Sequence, residues 1–138
     1  MITNFKYPKN FCMSEFKLRQ LKYETDTWKR LLGFVMDENI HLKNRLSEVL
    51  KENFDKNLLN DVEDFYSGFI REDELIVLLR NDIAELDSLL TREIFEDGIT
   101  MKQVERKVKK LRHGVKAAEE HFGKLKLAFN SYLSENIY

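Results

Sequence analysis

A few short stretches carry side chains able to do chemistry. "ENIH" (38–41) sets Glu38 and His41 three residues apart. That is the Glu-x-x-His spacing with which helix bundles hold di-iron centres. Such a centre takes two of these pairs and two more glutamates facing one another. No second Glu-x-x-His exists here, so a solvated or capping histidine is expected at position 41 and no metal. "AAEEHF" (117–122) places carboxylates beside His121, but adjacent helix residues face different directions. His113 has no such neighbours. Cys12 is the only cysteine, which excludes an internal disulfide and gives no zinc pattern; Lys9 is its one nearby cation. There is no glycine-rich phosphate loop, nucleophile elbow or Cys/His pair. Neither an enzyme nor a cofactor is expected.

The strongest charged stretch is "MKQVERKVKKLRHGVK" (101–116). Lys102, Lys109 and Lys116 recur every seven residues, with Arg106 and Lys110 beside them, giving one outward basic stripe. A stripe of this kind tracks a phosphate backbone or an anionic surface. The competing reading is a solvated face that offsets an acidic neighbour. No aromatics are interleaved with these cations, so stacking on single strands is not encoded.

These residues sit on elements set by apolar periodicity. One seam alternates steps of three and four through Leu18, Leu21, Thr25, Trp28, Leu32, Val35, Asn39, Leu42, Leu46 and Val49. A second runs through Leu58, Val62, Phe65, Phe69, Glu72, Ile76, Leu79, Ile83, Leu86 and Leu90. A third runs through Met101, Val104, Val108, Leu111, Val115, Ala118, Phe122, Leu125, Phe129 and Tyr132. Each is a heptad pattern, which predicts a helix. The helices are expected over about 14–52, 55–96 and 100–136, roughly 55 Å long at about 1.5 Å per residue. Ser14, Asn53 and Asp55 are N-cap candidates. Gly98 suits a left-handed helix terminus, and Thr100 with Gln103 has capping-box spacing.

The fold class is therefore all-α: three long antiparallel helices forming a left-handed coiled-coil-like bundle in one domain, 1–138. Residues 1–13, with Pro8, Phe5, Tyr7 and Phe11, break the pattern and suggest a short docked segment. Residues 54–97 hold 13 acidic and 4 basic residues, while residues 100–138 hold 4 acidic and 9 basic. Opposite charge on consecutive helices favours their pairing. The formal net charge of -1 gives the whole molecule no field favouring nucleic acid or membrane. No apolar run is long enough to span a bilayer and no signal peptide opens the chain, so a cytoplasmic location is expected.

Two seam positions stand out. Asn39 and Glu72 are polar where leucine would pack better, and counting heptads from the turn puts them at similar heights. They are expected to form a register-setting polar layer, bonded directly or through water. Elsewhere apolar residues spill off the seams: Phe34, Ile40, Ile70, Val77 and Leu78. These are a candidate interface, and the simplest cover for them is a second copy of the chain in a homodimer.

"WKRLLGFVMDENIHLKNRLSEVL" (28–50) and "FYSGFIREDELIVLLRNDI" (65–83) resemble a group of uncharacterised small helical-bundle proteins of Bacteroidetes bacteria. The resemblance covers about a third of the chain and implies no activity. The layout is also similar to a spectrin-type three-helix repeat, down to a tryptophan in the first helix, which speaks to fold alone. The expected function is non-enzymatic binding of proteins, the chain itself first. The alternatives are an anion-binding third helix and, more remotely, a metal-binding bundle.

Overall fold

In the computed structural model the chain is described for residues 11–12, 15–53, 55–91, 94–95 and 98–137. Three helices pack against one another: α1 (Glu15–Glu52), α2 (Lys56–Leu90) and α3 (Gly98–Asn136). Their lengths of 38, 35 and 39 residues match the long seams. Two short strands, β1 (Phe11–Cys12) and β2 (Ile94–Phe95), pair antiparallel, Phe11 opposite Phe95 and Cys12 opposite Ile94. The described end of the N-terminal segment is thus tied to the α2–α3 connection.

That strand corrects a boundary. α2 was expected to run to 96 but stops at Leu90, because Ile94–Phe95 is extended and bonded to β1. The Thr91 hydroxyl donates to the carbonyls of Asp87 and Ser88, 2.7 and 3.1 Å away, and closes the last turn. Gly98 opens α3 rather than ending α2, so Thr100 lies inside the helix and is not its cap. Asp55 is the N-cap of α2; its carboxylate accepts from the Asn57 N–H at 3.1 Å, satisfying one of the free donors of the first turn. Asn53 instead closes α1, its N–H donating to the Val49 carbonyl. Ser14 lies outside the described residues.

The order of the helices follows from cross-helix pairs. Lys29 meets Asp87 and Lys43 meets Asp73, so moving up α1 moves down α2. Between α1 and α3 the numbers rise together, from Glu24–Arg112 to Glu38–Lys126. The seams form one core. On α1 it holds Leu21, Trp28, Leu32, Val35, Leu42, Leu46 and Val49; on α2, Leu58, Val62, Phe69, Ile76, Leu79, Ile83, Leu86 and Leu90; on α3, Val104 through Phe129. At the far end of α3 the seam shifts: Leu133 is buried while Tyr132, the expected seam residue, is only half-buried. There the Tyr132 hydroxyl reaches Asp61 at 3.0 Å, and Phe65, Phe69 and Phe129 meet edge to face. A tyrosine leaves its tip where a partner exists and lets a leucine take the dry position.

Candidate functional site: a polar layer in the core and three kinds of surface

Asn39 and Glu72 are both buried, but their partners differ from the expected ones. Asn39, Glu72 and Thr25 are the buried polar residues among those described. The Thr25 hydroxyl bonds back to the Lys22 carbonyl, a local solution. Asn39 does not bond Glu72. Its amide nitrogen donates to the Phe69 carbonyl at 2.9 Å and to the Asp73 carboxylate at 2.7 Å. Lys43 meets the other Asp73 oxygen at 2.5 Å. Glu72 turns to α3, where His121 Nδ1 lies 2.7 Å from its Oε1. The cause is helix geometry. Heptad counting gives the height of a residue, yet neighbouring positions point 100° apart. Asp73 therefore faces α1 while Glu72 faces the centre and α3. Close by, Lys126 of α3 bonds Glu38 of α1 at 3.3 Å. The layer thus joins all three helices.

Two atoms in it lack hydrogen-bond partners: Asn39 Oδ1 and Glu72 Oε2. Burial pushes the Glu72 carboxyl above the ordinary carboxylate range; the hydrogen bond and charge of His121 pull the other way. The sequence neighbours of His121 point elsewhere and give no sign of its contact with Glu72. The missed signal lay across the bundle. From the Lys107–Glu85 pair, 14 residues forward on α3 and 13 back on α2 lead to His121 and Glu72.

The Glu38–His41 pair is not brought together as a metal site. His41 is exposed, and Glu38 is held by Lys126. Among the described residues no group of three or more metal-ligating side chains converges.

The five expected interface residues divide over three sides. Ile40 and Val77 are 44% and 54% exposed, and Ile70 is half-buried rather than exposed. Arg80 reaches Met36 Sδ at 3.9 Å across α1 and α2, and Lys43 meets Asp73. Ile40 is four residues past Met36 and three before Lys43; Val77 is four past Asp73 and three before Arg80. Ile70 is three before Asp73. All three therefore lie on the α1–α2 side. Phe34, 61% exposed, stands four residues before Glu38 and so belongs to the α1–α3 side. Leu78, 62% exposed, stands two turns before Glu85, whose partner Lys107 is on α3. The five therefore do not gather on one side of the bundle.

The basic stripe is as expected on the surface. Lys102, Arg106, Lys109, Lys110 and Lys116 are all exposed. None has an ion-pair partner among the described residues, whereas Lys107 and Arg112 in the same stretch pair with Glu85 and Glu24. No helix among the described residues is long and apolar enough to cross a membrane. The chain matches no known protein family, no curated protein and no solved structure.

Proposed function

We propose that this chain is a non-enzymatic helical-bundle protein that works by binding protein through the α1–α2 side, a second copy of itself first. The observation that supports this is the exposed pair Ile40 and Val77, level with each other and flanked by half-buried Met36 and Ile70. Leaving a large aliphatic side chain about half in water forgoes roughly 1 kcal/mol. The rim carries both signs. Asp37 lies three residues before Ile40, and Arg80 three after Val77; both are exposed, and neither makes an ion pair among the described residues. A face meeting its own copy across a two-fold axis can set Arg80 against the other copy's acid. The test compares solution masses of wild type, Val77→Glu and Leu127→Glu at equal concentrations. Val77→Glu should be monomeric and Leu127→Glu, altered on another helix, should behave as wild type. A dimer that Val77→Glu leaves intact would place the interface elsewhere.

The exposed stripe Lys102, Arg106, Lys109, Lys110 and Lys116, without a contact ion pair among the described residues, supports a second reading, binding of nucleic acid or another anionic surface. Retention on a phosphate matrix that falls steeply with salt would favour this reading, because released counterions drive such binding. Salt-insensitive passage through the matrix would end it.

A further inference from the structure

We infer that Glu72 is a proton-binding site at the centre of the bundle, carrying its proton on Oε2 while the three helices are packed, so that proton loss loosens the fold. Glu72 sits on the core seam between Phe69 and Ile76, and all three are fully buried. Its Oε1 is taken by His121, but Oε2 is buried with no hydrogen-bond partner among the described residues. In the same layer Asn39 Oδ1 also lacks one. Turning the Asn39 amide over does not help, because its nitrogen already serves two acceptors, Phe69 O and Asp73 Oδ1. A proton on Glu72 Oε2 removes the buried charge and turns an unpartnered acceptor into a donor.

The cations of the layer are engaged with other carboxylates. From α1 the layer receives Glu38, Asn39 and Lys43; from α2, Asp73; from α3, His121 and Lys126. Lys43 is spent on Asp73 and Lys126 on Glu38. His121 and Asp73 are the charged groups that act on Glu72: Asp73 repels its carboxylate, and the His121 side chain is 40% exposed while that of Glu72 is 0%. A Glu72 carboxylate would keep one oxygen dry and unpaired, a state buried groups avoid by holding the proton. The same burial sets the direction of its titration, upward. The folded form then keeps a proton that the unfolded chain gives up near about pH 4.3. Stability from this group is full below that value and is lost as pH rises through the folded one.

The experiment follows the glutamate side-chain carboxyl carbons of the folded wild-type chain by NMR from acid to mildly alkaline pH. Unfolding of wild type and Glu72→Gln is measured over the same range. One glutamate, Glu72, should titrate above all the others. The wild-type unfolding constant should rise by up to tenfold per pH unit relative to Glu72→Gln until that titration ends. If every glutamate, Glu72 included, titrates in the ordinary range, the inference is overturned. It is also overturned if the two unfolding profiles run parallel. Should Glu72→Gln not fold, the wild-type titration alone decides.

Discussion

Leu79 of α2 and Gly114 of α3 form a knob and a hole whose coupling can be worked out. Leu79 is 6% exposed, and a Cβ built on Gly114 would stand 2.7 Å from its Cδ2. Leu79→Ala should cost about 2–5 kcal/mol, as truncated core leucines do. Gly114→Ala gains about 1 kcal/mol in helix propensity and loses about 1–3 kcal/mol to overpacking, so it is neutral to destabilising in the wild type. In the Leu79→Ala background the opposing methyl is gone. The same change then keeps its helix gain and adds about 0.8 kcal/mol for a buried methyl, so it stabilises by nearly 2 kcal/mol. The sign of one substitution reverses with the residue at 79. The assay is urea denaturation of the four proteins, followed by helical circular dichroism. If Gly114→Ala shifts stability equally in both backgrounds, within about 0.5 kcal/mol, the two residues do not meet and the α2–α3 register is wrong.

Gly123→Ala should stabilise by about 1 kcal/mol in thermal unfolding, since nothing lies within 4 Å of its added Cβ. Gly68→Ala should show no such gain, because Leu125 Cδ1 stands 2.9 Å from the site. Asn39→Asp should cost about 3–5 kcal/mol at neutral pH by setting an unpaired charge against Asp73 and the Phe69 carbonyl. That loss should shrink on acidification, because the buried acid is raised and its neutral form tolerated; a denaturation profile flat in pH would refute the placement.

The seams were legible because a heptad period over ten positions is a one-dimensional signal. The burial of Asn39 and Glu72 was legible with them, since each holds a seam position. Their partners were not, because a partner depends on which way a side chain leaves its helix and on the relative height of a third helix. His121 needed the relative height of α2 and α3, which pairs such as Glu85–Lys107 fix only in three dimensions. The grouping of all five apolar residues on one side fails for a related reason. Val77 and Leu78 are successive in sequence yet lie on the α1–α2 and α2–α3 sides, and Phe34 lies on the α1–α3 side. The end of α2 was overrun because nothing in the helical period announces that Ile94–Phe95 will pair with Phe11–Cys12.

Self-association through the α1–α2 side is tested most directly by sedimentation equilibrium of the wild-type chain through the micromolar range. The mass should rise with concentration from 16.5 kDa toward twice that value. A single species that stays at 16.5 kDa throughout would contradict it.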